Sequence, residues 1–310
     1  MALNTRFIDE IEQCLKPRCV CDHIETTGST YDGLNIDEDD NIQLKVYLIQ
    51  TVSGSDIVAE KRTDMPGYAW LRFVHGREPS PILDRVLKHW SLLGTLIGKR
   101  YLDAAKTVDV IYEELQKCIQ ESKQMSGKVK FRRIGLILQM EVYPDSWLLS
   151  WGCRLYTLNI VPAYTLGEEL YESTPINGDE IPDDTMTWHR SFALLEREKL
   201  CKGSKMVLRV LKVLSKRDSD FSNFTSYQLK TAVLHETEAN RDWSEPMLGR
   251  RLVDVLARLE RCLTAENLPH FFTPEINLLY KMPSYTMDYL RNRIQRLQSN
   301  DIELRQLLQR

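Results

Sequence analysis

Asn41 and Gln43 stand two residues apart in "DNIQLKVYLIQ", and Asn159 stands in "YTLNIVPAY". Residues at i and i+2 of a strand project from one face. With a third polar residue on a neighbouring strand they outline a site for two divalent cations, the arrangement used in nucleotidyl transfer. That chemistry calls for carboxylates, because two Mg²⁺ or Mn²⁺ ions held about 4 Å apart beside a triphosphate need negative ligands. An amide oxygen is a weak ligand and carries no charge. Three amides in these places argue against turnover, and they equally suit the polar face of a solvated strand. Asp37, Glu38, Asp39 and Asp40 run contiguously before the strand, a spacing that suits a solvated loop rather than one face. Gly28 and Ser29 form a small-residue turn whose backbone amides and hydroxyl can cradle a phosphate, or simply turn the chain.

These residues need a sheet to hold them. In "IQLKVYLIQ" the apolar residues Ile42, Leu44, Val46 and Leu48 alternate with Gln43, Lys45 and Tyr47, which predicts a strand with one buried face. "YAWLRFV" predicts another strand. "RRIGLILQMEVY" and "CRLYTLNIVPAY" predict two neighbouring strands, the second stopped by Pro162. Phe7, Ile8, Ile11 and Leu15 predict a short amphipathic helix ending before Pro17, and the pattern over 81–120 reads as helical throughout. "STPINGDEIPDD" is a turn-rich connector, and 189–310 is almost wholly helical in pattern. The expectation is an α+β chain of two lobes: a mixed αβ lobe over 1–170 and a helical lobe over 171–310, with the cleft between them as the default ligand site.

Composition sets the limits. The chain has 310 residues, 43% of them hydrophobic, with six Trp, thirteen Tyr and eight Phe, enough for a large core. Its net charge of -3 means that any nucleic acid must be met by a local basic face. The seven scattered cysteines read as reduced thiols. The N-terminus lacks an apolar signal region, and no apolar run is long enough to span a membrane, so a cytosolic or nuclear protein is expected.

Lys205, Arg209, Lys212 and Lys216 recur at three- and four-residue spacing and predict one basic helical stripe. The opposite side of that helix is expected to carry Met206, Leu208, Val210, Leu211 and Leu214. Lys128, Lys130, Arg132, Arg133 and Lys123 form a second basic cluster. Either group could track the phosphates of double-stranded RNA or DNA by shape and charge, or form an ordinary solvated face. Cys14, Cys19, Cys21 and His23 lie close together at a spacing that matches no standard zinc finger. His235 and His270 read as packing or surface histidines.

"GSTYDG" followed by "NIQLKVYL", then "TLNIVPAY", "WHRSFALLEREKL", "FTSYQLKTAVLHETE" and "CLTAENLPHFFTPEINLL" occur in an order and spacing that resemble the Mab-21 family. The branch containing cyclic GMP-AMP synthase and cGAS-like receptors is the most similar, over about residues 20–285. The resemblance implies a nucleotidyltransferase-like core with a helical lobe. In active members it implies Mg²⁺-dependent cyclic dinucleotide synthesis after sensing of double-stranded nucleic acid. It matches Asn41, Gln43 and Asn159 to acidic metal ligands, Gly28 and Ser29 to the family's turn, and Lys230 to a lysine facing nucleotide phosphates. Arg258 lies near the place of a base-stacking aromatic, while Ser226 and Tyr227 are expected to cap and pack the helix of Lys230. With all three acids replaced, the expected protein is a catalytically inactive or impaired relative that binds nucleic acid or a protein partner and needs no cofactor. Two alternatives stand beside it: a duplex-activated cyclic dinucleotide synthase using Mg²⁺ or Mn²⁺ with ATP and GTP, and a developmental scaffold with no nucleic-acid role.

Overall fold

The computed structural model describes residues 2–18, 21–27, 34, 42–74, 93–96, 99–143, 156–174 and 185–309. The chain divides into two compact units, one of residues 1–31 and 39–191, the other of 32–38 and 192–310. Among the described residues there are eleven strands in one mixed sheet and eight α-helices, so the chain is α+β.

The first unit is built on the sheet. Its strands are β1 (His23–Thr27), β2 (Ile42–Val52), β3 (Ile57–Lys61), β4 (Tyr68–Phe73), β5 (Leu93–Leu96), β6 (Lys99–Leu102), β7 (Val129–Ile134), β8 (Ile137–Val142), β9 (Tyr156–Leu166), β10 (Glu169–Glu172) and β11 (Thr187–Ser191). The order is β1-β2-β9-β10-β11-β4-β6-β5, with β3 beside β4, and β8 joining β7 to β9. Only the central β2–β9 pair is parallel.

Two helices, α1 (Ala2–Leu15) and α2 (Ala104–Glu121), supply the apolar cover. Phe7, Ile11 and Leu15 of α1 and Val108, Ile111, Leu115 and Cys118 of α2 pack with Leu44, Val46 and Leu48 of β2 and Leu158 and Ile160 of β9. The Leu44, Val46 and Leu48 row of β2 is buried as the alternation predicts, but the strand does not have only one buried face: Tyr47, placed with the polar residues by the pattern, is fully buried, as is Ile49. Asp103 starts α2 by accepting from the Lys106 amide at 3.0 Å, which satisfies one of the free N–H groups of the first turn. A second cluster holds Ile57, Leu71, Phe73, Tyr164, Tyr171 and Trp188, and the Trp188 indole donates to the Leu102 carbonyl at 2.9 Å.

Four further sequence expectations are corrected in this unit. Residues 93–96 and 99–102, inside the stretch read as helical, form the antiparallel β5–β6 hairpin; their pairing overrides a pattern too short to distinguish the two periods, and 81–92 lie outside the described residues. Residues 132–143 are not one strand but the ends of the β7–β8 hairpin, which turns at Gly135 with φ 59°, a conformation glycine adopts without strain. Pro162 does not stop β9. Its carbonyl accepts from the Ser173 amide at 3.1 Å, and its nitrogen faces the same edge, where the β8 ladder has ended at Ile160 and the β10 ladder begins at Ala163. The missing N–H therefore forfeits at most the last bond beyond the end of the β10 ladder and interrupts neither ladder.

The fourth correction concerns the thiols. Cys14 and Cys118 are disulfide-bonded, with Cα atoms 6.0 Å apart, because the last turns of α1 and α2 lie side by side. A separation of 104 residues hides that proximity from any reading of spacing. Cys21, Cys201 and Cys262 are free, and burial pushes the Cys21 thiol up to about 12. Closing so long a loop is expected to stabilise the fold by roughly 2–4 kcal/mol. Dithiothreitol should therefore lower the unfolding midpoint of the wild type by several degrees and leave Cys118→Ser unaffected; equal midpoints with and without reductant would rule the bond out as a contributor.

The second unit is helical: α3 (Ala193–Lys199), α4 (Lys202–Arg217), α5 (Ser226–Ala239), α6 (Leu248–Thr264), α7 (Ser284–Ser299) and α8 (Asp301–Gln309). Its core joins Val207, Leu208, Leu211 and Leu214 of α4, Leu229, Ala232 and Val233 of α5, and Val255, Leu256 and Leu259 of α6, with Leu34 packed among them. Helix α5 begins on a capping box between Thr225 and Gln228, so Thr225, not Ser226, is the cap. No helix among the described residues is long and apolar enough to cross a membrane.

Candidate functional site

Gly28, Ser29, Asn41 and the acidic run Asp37–Asp40 lie outside the described residues, and of Gln43 only the backbone position in β2 is described. The third position is clear. Asn159 sits opposite Lys45 in the parallel ladder and opposite Gln139 in the antiparallel one. Paired residues share a face, so Gln43, Lys45, Asn159 and Gln139 belong to the face opposite the buried row. The Asn159 carbonyl oxygen accepts from the Gln139 amide at 3.2 Å.

Lys45 gives this face its electrostatic character. Its ammonium lies 2.6 Å from Oε2 of Glu172 and 3.5 Å from the Thr174 hydroxyl. Glu172, on β10, is almost fully buried, and its other oxygen meets His189 Nδ1 at 3.0 Å. Burial alone opposes the charge of Glu172, but Lys45 and His189 outweigh it and hold the carboxyl at about 2. A lysine two residues from Gln43 and beside Asn159 is a cation where the matched chemistry would gather anions. The donor set on β2, β8 and β9 that can be described therefore does not fit a pair of divalent ions.

In the helical unit, Lys230 is engaged. Its Nζ lies 2.8 Å from Oε2 of Glu196, a carboxylate only 3% exposed. Tyr227, one turn earlier on α5, donates its hydroxyl to the other Glu196 oxygen at 2.6 Å and stands 2.7 Å from His270 Nε2. Both the Phe272 and Thr273 amides donate to His270 Nδ1, which places the ring proton on Nε2. The result is an ordered chain from His270 through Tyr227 to Glu196, with Lys230 on the far oxygen. A nucleotide phosphate would have to share this ammonium with a fixed carboxylate. Arg258 is likewise held, 2.8 Å from the buried Glu236.

Lys205, Arg209, Lys212 and Lys216 do line one side of α4, with Arg209 and Lys216 exposed and the other two half-buried. The apolar side differs from expectation. Gly203, Ser204, Val207, Leu208, Leu211 and Leu214 are buried, whereas Met206 is 41% exposed and Val210 only partly covered. The helix has a third, apolar flank between its basic stripe and its core face.

The second basic cluster is on and before β7. Arg132 reaches Gln139 and, at 3.0 Å, Glu141, while Lys130 lies over the Tyr143 ring at 5.1 Å. Lys128 sits in the preceding turn, and Arg133 pairs with Asp109.

Sequence reasoning missed Glu172, Glu196 and the role of His270. Glu196 lies in "WHRSFALLEREKL", but Glu198 stands two residues away in the same helix, so the sequence does not single out which of the two acids is buried. His270 is buried and central to a network, not a surface residue.

Comparison with known proteins adds the family context. Residues 203–296 match the model described as the Mab-21 protein HhH/H2TH-like domain. The chain is similar to the cyclic GMP-AMP synthase-like receptor 3 of Stylophora pistillata, 23% identical over 302 residues, covering 92% of this chain and 84% of the relative. It is also similar to the male abnormal 21 proteins of Caenorhabditis elegans and Caenorhabditis briggsae, 33% and 34% identical over 107 residues, covering 33% of this chain and 29% of each relative. The mixed sheet and helical unit fit a nucleotidyltransferase-like fold.

Proposed function

We propose that this chain, which belongs with the Mab-21 and cGAS-like proteins, is a nucleotidyltransferase-like protein that has lost turnover and works as a binding module. One observation carries the reading: Asn159 is a neutral amide engaged by Gln139, and its partner across the parallel ladder is the cation Lys45. The Glu172 carboxylate beside Lys45 is already paired with it, so two divalent ions would find no spare negative charge among these residues. Support for the module comes from the basic stripe of α4. Its four cations recur along one side of a helix of sixteen residues, about 24 Å long, a scale that suits successive phosphates of a duplex.

The test joins turnover with binding. Purified protein is incubated with ATP and GTP, Mg²⁺ or Mn²⁺, and long double-stranded RNA or DNA, and products are resolved by mass. The expected result is no dinucleotide. Duplex binding is expected to weaken steeply with salt, and Arg209→Glu with Lys216→Glu should reduce both the affinity and the salt slope, each lost contact removing about 0.9 from the slope on DNA. A cyclic or linear dinucleotide would overturn the inactive reading in favour of a synthase. Binding that ignores salt and both substitutions would overturn the nucleic-acid reading.

A further inference from the structure

The third flank of α4 lies against a cavity of about 480 Å³. Met206, Val210 and Val213 form its wall on α4, spaced as i, i+4 and i+7 so that they share one flank. Leu248 and Leu252 face it from the first turns of α6, and Leu308 closes the end from α8. Arg209, Lys216 and Arg217 border it, and none of its described lining residues is acidic. Arg217 donates to the Leu307 and Leu308 carbonyls at 2.9 Å each, which fixes the α8 wall in place.

Gly249 is the informative residue. It lies in the first turn of α6 on the cavity lining, and a Cβ built there meets nothing within 4 Å. Its φ is not in the left-handed region. Neither close packing nor backbone conformation calls for glycine, which costs a helix roughly 0.5–1 kcal/mol relative to alanine. A side chain at 249 would enter open space at the exposed border of the cavity lining.

We infer that this cavity is a binding site for a single-chain anionic amphiphile, a free long-chain carboxylate whose tail lies along Met206, Val210 and Leu252 and whose head meets Arg209 at the rim. The volume falls within the range of small-molecule sites, about 300–1,000 Å³, and the lining is mostly apolar with a few charged groups at one border, as such sites are. Arginine suits a carboxylate because its fork can donate two parallel hydrogen bonds. The site does not depend on the nucleic-acid reading: it uses a different flank of α4 and shares only its border with the basic stripe.

The experiment titrates the full chain with laurate below its micellar concentration, followed by calorimetry, with dodecanol as the uncharged probe. Saturable laurate binding, at least about tenfold tighter than dodecanol, is expected. Gly249→Leu should abolish it while keeping or raising the unfolding midpoint and leaving duplex binding unchanged. Arg209→Gln should weaken laurate by about tenfold without affecting dodecanol. The proposal fails if laurate does not saturate, if Gly249→Leu binds as wild type, or if dodecanol binds equally well. It also fails if only phosphatidylserine vesicles are bound, which would make the flank a membrane contact, or if Gly249→Leu instead dissolves a dimer seen by sedimentation, which would make it a contact between copies.

Discussion

Gly203→Ala is expected to destabilise the helical unit by about 3 kcal/mol or more. Helix propensity alone predicts the opposite sign, because alanine favours a helix over glycine by about 1 kcal/mol. Packing decides. A Cβ at residue 203 would stand 2.1 Å from the Trp243 carbonyl oxygen, 2.9 Å from its Cβ and 3.0 Å from its carbonyl carbon. These are mostly backbone atoms, which cannot swing aside as the tip of a long side chain does. Trp243 is itself held, largely buried and donating its indole N–H to the Asn240 carbonyl at 2.8 Å. The first turn of α4 would have to lift from its neighbour. Urea unfolding of the full chain reads the effect directly, and a midpoint at or above that of the wild type would show that the close approach does not exist in solution.

Glu172 should make the sheet unit sensitive to acid. Its carboxyl titrates near 4.5 in an unfolded chain and at about 2 in the fold. The charged form is therefore favoured by folding, in full above pH 4.5. That contribution is lost as pH falls from about 4.5 towards 2, and it amounts to roughly 3 kcal/mol. Glu172→Gln keeps the shape but removes the charge that Lys45 and His189 face. At neutral pH it should cost about 3–5 kcal/mol, since two basic groups lose a buried counterion. Between pH 4.5 and 2 the variant should lose less stability than the wild type over the same range. Parallel stability curves for the two proteins across that window would mean that Glu172 does not carry the acid response.

Much of the fold is legible in the chain because its signals are local. The amphipathic period of α1 and the Leu44, Val46 and Leu48 row of β2 each mark a buried face without reference to the rest of the protein, whereas the periods of β2 and α4 do not reveal that Tyr47 is buried or that Met206 is exposed. The misreadings share a different cause. Whether Pro162 ends a strand depends on where two other strands stop along its edge, and whether Cys14 is a thiol depends on a helix more than a hundred residues away. The candidate site divides in the same manner. Asn159 was visible as an amide among apolar neighbours, but the Lys45–Glu172–His189 and Lys230–Glu196–Tyr227–His270 networks draw on segments whose meeting only the fold creates. Gly249 shows the converse, a residue whose local disadvantage is visible in sequence and whose purpose is visible only beside the cavity.

The parallel β2–β9 ladder, in which Ile42 meets Tyr156, joins residues 114 positions apart (156 − 42). A ribosome working at about 5–20 residues per second needs on the order of ten seconds to cover that interval. Throughout it, β2 can be shielded along one edge by β1, already made, but the edge destined for β9 has no native occupant. An inner strand of the sheet is thus one of the first to be synthesised and is enclosed only long afterwards, and a nascent chain stalled before residue 156 would present Leu44, Val46 and Leu48 beside an open edge to whatever chaperone or neighbouring chain reaches them first.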